Sequence, residues 1–134
     1  MRRYVAPLSL GLLFAMAAVV GAQQQMTPAL EVAEAVITTA VVDRQPADNV
    51  TTVAKDVGTV YCWTRVTGAE GEIQVEHVWY KDDTEVARVS LRVAGSNWRT
   101  WSSKNIDPMW TGSWRVDIVG PDGGVLQSLS FTVG

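Results

Sequence analysis

Cys62 is the single cysteine and His77 the single histidine of this sequence, so thiol, imidazole or soft-metal chemistry would have to run through these two. Side by side they could share a copper or zinc ion. Two ligands are too few for a stable site, and a carboxylate, Met109 or a second chain would have to complete it. The bland reading makes Cys62 an ordinary buried side chain and gives His77 a backbone or hydroxyl partner. A thiol–imidazole nucleophile pair is a weaker reading, because side chains buried in mid-strand offer no cleft. A hydrolase built on Ser102 or Ser103 meets a similar objection, since a lone histidine expected in the core makes a triad hard to assemble.

The densest cluster of chemistry runs from Asn97 to Lys104. Trp98 and Trp101 have opposite strand parity, so a straight strand cannot send both indoles to one core. An indole left at the surface beside Arg99 and Lys104 would be a rigid apolar platform edged by donors, the composition of sugar and peptide recognition. The bland alternative is an arginine stacked on a tryptophan for structural reasons. Trp110, after Asp107-Pro108, falls in a connecting loop and is the best candidate for an exposed aromatic. The candidate binding residues are therefore Trp98, Arg99, Trp101, Lys104 and Trp110. Glu70, Glu72, Asp82 and Asp83 sit in turns, where solvation explains them. Asp122-Gly123-Gly124 lacks the ligand spacing of a calcium loop. No cofactor is implied.

The elements that must position these residues are strands. From Val32 onward polar and apolar residues alternate with a period of two, interrupted by turn formers such as Gly68-Ala69-Glu70-Gly71 and Gly120-Pro121-Asp122-Gly123-Gly124. The pattern predicts seven strands, roughly 32–43, 57–67, 72–81, 85–94, 97–103, 112–119 and 124–133. Ala33 to Ala40 could alternatively form a short helix. About seven short strands with frequent turns indicate an all-β domain, a small immunoglobulin-like antiparallel β-sandwich spanning residues 32–134.

If the second and third strands form a hairpin around Gly68 to Gly71, Val66 faces Ile73, Thr64 faces Val75, Cys62 faces His77 and Val60 faces Trp79 on one core face. In the next hairpin a two-residue loop would drive Arg88 and Arg92 into the core. A three-residue loop instead brings Ala87, Val89 and Leu91 to the apolar face, and the cost of a buried unpaired charge favours it.

The first 22 residues have the anatomy of a signal peptide: Arg2-Arg3, an apolar run from Leu8 to Val20, and the small residues Gly21-Ala22. The run is short for a membrane span, which needs ~20 residues, so no span is expected in the mature chain; an uncleaved anchor is the alternative. Residues 23–31 read as a flexible leader. Cleavage after Ala22 removes two of 11 basic residues and none of 14 acidic ones, taking the formal charge from −3 to about −5. That sign argues against nucleic acid or an anionic membrane as partner, although Arg88, Arg92 and Arg99 could form a local basic patch. With one cysteine there is no intramolecular disulfide, so the fold rests on packing, for which six tryptophans are available.

The ordered segments His77-Val78-Trp79-Tyr80, Glu85-Val86-Ala87-Arg88-Val89, Trp98-Arg99-Thr100-Trp101-Ser102-Ser103-Lys104 and Gly112-Ser113-Trp114-Arg115-Val116, with Phe131-Thr132-Val133 at the end, resemble the bacterial family known as domain of unknown function 2914 over roughly residues 57–133. The resemblance implies an envelope-associated β domain, sometimes attached to membrane segments or other modules, with no activity and no catalytic residue to carry over. The sequence is thus read as a non-enzymatic binding or accessory module of the bacterial envelope, periplasmic or secreted, whose ligand is an envelope protein or a glycan. The rivals are a periplasmic metal-handling protein using Cys62 and His77, and a hydrolase. The expected mass of the exported protein is that of a chain beginning at Gln23; a mature protein retaining Met1 overturns the signal-peptide reading.

Overall fold

In the computed structural model, Arg3 and residues 29–134 are described; the rest of the signal-peptide segment 1–22 and residues 23–28 of the leader lie outside the described residues. Among the described residues ten strands follow one another: β1 (Glu31–Thr38), β2 (Val41–Val42), β3 (Gln45–Pro46), β4 (Thr52–Val53), β5 (Thr59–Thr67), β6 (Ile73–Lys81), β7 (Thr84–Val93), β8 (Asn97–Asn105), β9 (Gly112–Val119) and β10 (Val125–Val133). They form a three-stranded sheet in the order β1-β5-β8, a five-stranded sheet in the order β4-β10-β9-β6-β7, and the small β2-β3 ribbon. The two larger sheets face each other across one core, an all-β sandwich. Six of the seven expected strands fall close to their expected limits. The first is shorter than 32–43: it starts at Glu31 and stops at Thr38, and the chain then turns out into the β2-β3 ribbon. Residues 33–38 are strand, not helix. One pairing departs from the antiparallel expectation, because β4 joins β10 in parallel, Thr52 beside Thr132.

The expected hairpin between the second and third strands does not exist. β5 pairs with β1 and β8, whereas β6 pairs with β7 and β9. The segment from Gly68 to Gly71 carries the chain from one sheet to the other, and both glycines have positive φ, 84° and 83°, a conformation that other residues adopt only with strain. Alternation had identified the buried faces correctly, since Val60, Cys62, Thr64 and Val66 of β5 and Val75, His77 and Trp79 of β6 are all fully buried. They meet across the sandwich rather than side by side in one sheet. Placing the second and third strands in opposite sheets is the immunoglobulin-like arrangement.

The β6–β7 hairpin has the expected register and a different turn. Ala87 stands opposite Trp79, Val89 opposite His77 and Leu91 opposite Val75. The loop, however, has only two residues, Asp82 and Asp83, both with positive φ (48° and 64°), as a two-residue hairpin turn demands. A bulge between Trp79 and Tyr80 supplies the one-residue shift that keeps Arg88 and Arg92 out of the core. Arg88 pairs with Glu76 and Glu85 and Arg92 with Glu72, so the basic patch expected from Arg88, Arg92 and Arg99 is not formed: two of its members are neutralised by neighbouring carboxylates.

Between the sheets lie two apolar clusters. The larger gathers Ile37, Val53, Val60, Cys62, Trp79, Ile106, Trp114, Val116, Phe131 and Val133; Trp114 stacks on Phe131 with ring centroids 5.8 Å apart, and Trp79 meets the same ring edge-on at 6.2 Å. The smaller gathers Val66, Ala69, Val75 and Val93, with Trp98 packed against it. On the outer side of the three-stranded sheet Trp63 is also buried, and its indole N–H donates to the Arg44 carbonyl at 3.0 Å in the β2-β3 turn. Asp48 fastens the same excursion, accepting from the Thr38 and Thr39 hydroxyls and the Thr39 amide; those bonds hold its carboxyl below the usual carboxylate range. Trp63→Phe removes the bond to Arg44, worth about 1 kcal/mol, and leaves a small cavity where the larger ring was, so the expected loss is roughly 1–3 kcal/mol of stability. Hydrogen exchange should quicken first at residues 41–46, and a variant that loses no protection there refutes the anchoring role.

Candidate functional site

Between the two apolar clusters, at the level of Thr64 on β5 and His77 on β6, the core is polar. His77 Nδ1 lies 2.7 Å from Ser102 Oγ, and its Nε2 lies 3.3 Å from Thr64 Oγ1. Trp79 Nε1 donates to Ser102 Oγ at 3.1 Å, and Thr64 Oγ1 donates to the Thr100 carbonyl at 2.9 Å. These contacts assign every proton. Thr64 gives its only proton to Thr100, so it must accept from His77 Nε2–H. A neutral imidazole has one N–H, so Nδ1 is an acceptor and takes the Ser102 proton. Ser102 in turn accepts from the indole, which can only donate. The result is a directed chain, Trp79 to Ser102 to His77 to Thr64 to the Thr100 carbonyl, that stitches β6 of one sheet to β8 and β5 of the other.

The metal and nucleophile readings of Cys62 and His77 meet this geometry directly. The two residues are not cross-strand neighbours: Cys62 stands opposite Ile37 and Ser102 in the three-stranded sheet, and His77 belongs to the five-stranded one. Both imidazole nitrogens are engaged by hydroxyls. Burial pushes the Cys62 thiol up, away from the reactive thiolate. Among the described residues no group of three or more His, Cys, Asp and Glu is placed to hold a metal ion. Ser102 and His77 do touch, as a hydrolase would require, but both are buried, and the histidine's far nitrogen meets the Thr64 hydroxyl rather than a carboxylate.

The candidate binding residues are distributed along β8 and beyond it. Trp98 is half-buried against the smaller cluster at the start of the strand, with the Arg44 guanidinium 5.9 Å from its ring. Arg99 stands opposite Arg65, and Trp101 opposite Trp63, on the outward face. Lys104, six residues and ~20 Å of extended chain beyond Trp98, reaches the loop after β8, where its ammonium lies 5.8 Å from the Trp110 ring. The structure thus brings Lys104 and Trp110 together and leaves Trp98 at the opposite end. Trp110 is 40% exposed and the adjacent Met109 88%. The loop is anchored from below: Trp114 Nε1 donates to the Trp110 carbonyl at 3.1 Å, the two indoles lie 5.9 Å apart, and the Met109 amide caps onto Asp107. Trp110 is therefore a partly exposed tip held over the core.

A second feature escaped the sequence reading. The outer face of the five-stranded sheet carries an open cleft of about 630 Å³, lined by Thr51, Thr52, Ser113, Arg115, Ser130 and Thr132 with the Asp82-Asp83 turn at its rim and the buried residues Trp114 and Phe131 also contributing to its wall. Arg115 lies over the Tyr80 ring at 4.3 Å and pairs with Asp83 at 2.6 Å and Asp117 at 3.1 Å; the bond to Asp83 first of all raises its pKa further. The signal was present as the alternating Ser113, Arg115 and Asp117 of β9 beside Ser128, Ser130 and Thr132 of β10. Taken strand by strand, that pattern is indistinguishable from a solvated face.

His77 carries a pH dependence. Burial lowers its pKa from 6.5 to about 4, so the unfolded chain takes up a proton near pH 6.5 that the folded chain refuses until about pH 4. The stability tied to neutral His77 is complete above pH 6.5 and is lost as pH falls toward 4, on the order of 3 kcal/mol across that window. Denaturant melts at pH 7, 5.5 and 4.5 should show this slope, and His77→Gln should flatten it; an unchanged slope in the variant assigns the effect elsewhere.

No curated protein matches the sequence. Among solved structures, the fold is similar to part of a β-glucosidase from Listeria innocua in complex with glucose (8% identity, TM-score 0.44, covering 78% of this chain and 16% of that one). It is likewise similar to a mutant β-glucosidase from Listeria innocua in complex with laminaribiose (7% identity, TM-score 0.43, covering 75% and 16%). This chain therefore spans about a sixth of the length of those enzymes. Residues 72–133, from the start of β6 to the end of β10, match the family model described as a protein of unknown function, DUF2914; the match starts later than residue 57, leaving out β5. That match supports the resemblance to the DUF2914 family over residues 72–133.

Proposed function

We propose that this protein is an exported, non-catalytic binding or accessory module of the bacterial cell envelope, which engages an envelope protein or glycan through the tip formed by Met109 and Trp110 with Lys104. The observation that carries the reading is the exposure of Trp110 on an anchored loop. A large aromatic held at the surface by its own backbone bond to Trp114, with a cation beside its ring, has the composition of a binding hot spot and loses little conformational freedom on binding. Periplasmic or secreted localisation rests on the N-terminal segment, and the acidic balance of the chain disfavours nucleic acid. Among the described residues no helix is long and apolar enough to cross a membrane.

The non-catalytic part of the proposal is supported by the engagement of Ser102 and His77 in the inter-sheet hydrogen-bond chain. The metal-handling alternative is disfavoured by the two hydroxyls that occupy the imidazole nitrogens. Trp110→Ala is expected to weaken partner capture by ~2 kcal/mol or more while leaving the melting temperature nearly unchanged. Capture from envelope extract by the unaltered chain and by the variant, with thermal melts on both, tests this. A sharp fall in melting temperature with undiminished capture by the folded fraction makes Trp110 structural and sinks the proposal.

A further inference from the structure

We propose that the cleft on the outer face of the five-stranded sheet, bounded by Thr52, Asp83, Ser113, Arg115, Ser130 and Thr132, is a binding site for a neutral saccharide. The site is separate from the Met109–Trp110 tip and does not depend on it. Register places its residues in adjoining rows: Arg115 stands opposite Ser130, Ser113 opposite Thr132, and Thr132 beside Thr52. Three neighbouring strands therefore present hydroxyls to one open space, and Thr51 adds a fifth at the rim. The volume of about 630 Å³ falls within the ~300–1,000 Å³ usual for small-ligand sites.

The chemistry of the lining selects the ligand. An apolar ligand would leave the hydroxyls without partners, a cost for each group desolvated. An anion would face Asp82 and Asp83 against Arg115 alone among the charged residues of the lining. A metal ion would have to compete for carboxylates already engaged, Asp82 by Lys81 and both Asp83 and Asp117 by Arg115. A polyhydroxylated neutral molecule conflicts with none of these. Its hydroxyls can donate to the Asp83 carboxylate and accept from the Arg115 guanidinium, charge-assisted bonds in both directions, while serine and threonine both donate and accept. Arg115 is held in place for the role by stacking on Tyr80 and by Asp117, which the Ser128 hydroxyl also bonds at 2.7 Å. A guanidinium so fixed loses little freedom when a ligand arrives.

The test is a titration of the isotope-labelled chain with cellohexaose, maltohexaose and fully N-acetylated chitohexaose, and with hexagalacturonate as the acidic comparison. At least one neutral saccharide should produce saturable shifts at Ser113, Arg115, Ser130 and Thr132. Ser130→Trp, which fills the cleft from an exposed strand position, should abolish them. Arg115→Ala should weaken binding ~tenfold or more, the loss of a charge-assisted hydrogen bond. Trp110→Ala should leave saccharide binding unchanged, so failure here and failure of the tip proposal are separate results. If Arg115→Ala does not fold, the shift map and Ser130→Trp decide. Absence of saturable shifts with all three neutral saccharides, shifts confined to other surfaces, binding that survives Ser130→Trp, or binding of hexagalacturonate alone each overturns the assignment.

Discussion

The hydrogen-bond chain from Trp79 through Ser102, His77 and Thr64 to the Thr100 carbonyl is the constraint on which the pairing of the two sheets depends. Apolar burial is non-directional, and by itself it would tolerate a shift of one sheet over the other. A buried polar chain does not tolerate it. Ser102, His77 and Thr64 each have one partner on either side, and displacing one of them strands a buried donor or acceptor at a cost of about 1–3 kcal/mol per group. Because the chain lies between the two apolar clusters, it sets the alignment of the facing sheets in both at once.

The six tryptophans divide according to depth, and the division explains how a small domain with a single cysteine holds together. Trp79 and Trp114 fill the larger cluster, and Trp63 pins the β2-β3 ribbon to the outside of the smaller sheet. Trp98 and Trp101 lie half-buried on opposite faces of β8, as their parity requires. Only Trp110 stands out at the surface. Each deeply buried indole finds an acceptor for its N–H: Ser102 for Trp79, the Trp110 carbonyl for Trp114 and the Arg44 carbonyl for Trp63. Burying these rings thus leaves no indole N–H unpaired, and in two of the three cases the acceptor is the backbone of a loop, which is thereby held to the core.

The charged residues do different work. Arg65, Arg88 and Arg92 each meet a carboxylate on an exposed face, where pairs contribute little to stability; their consequence is to neutralise these three positions. Arg115 differs in having an aromatic ring below it and, as one of its two carboxylate partners, the mostly buried Asp117. That environment fixes the side chain within the outer cleft, whereas the arginines of β7 remain on open sheet.

Alternation along the chain by itself determined which residues face the core: Val60, Cys62, Thr64 and Val66 on one strand, Val75, His77 and Trp79 on another. The cost of burying Arg88 and Arg92 determined the register of the β6–β7 hairpin, and parity determined that Trp98 and Trp101 must part. These are properties of a period-two chain in water, and they need no knowledge of neighbours. What alternation does not contain is the identity of the strand alongside, because a buried face is satisfied equally by a hairpin partner or by a facing sheet. The tertiary structure alone therefore decided that β5 and β6 oppose each other across the core, that His77 meets Ser102 and Thr64 rather than Cys62, and that polar rows from β4, β9 and β10 converge into one cleft. Each of those outcomes depends on long-range pairing of backbone hydrogen bonds, which residue type and spacing within a single strand do not encode.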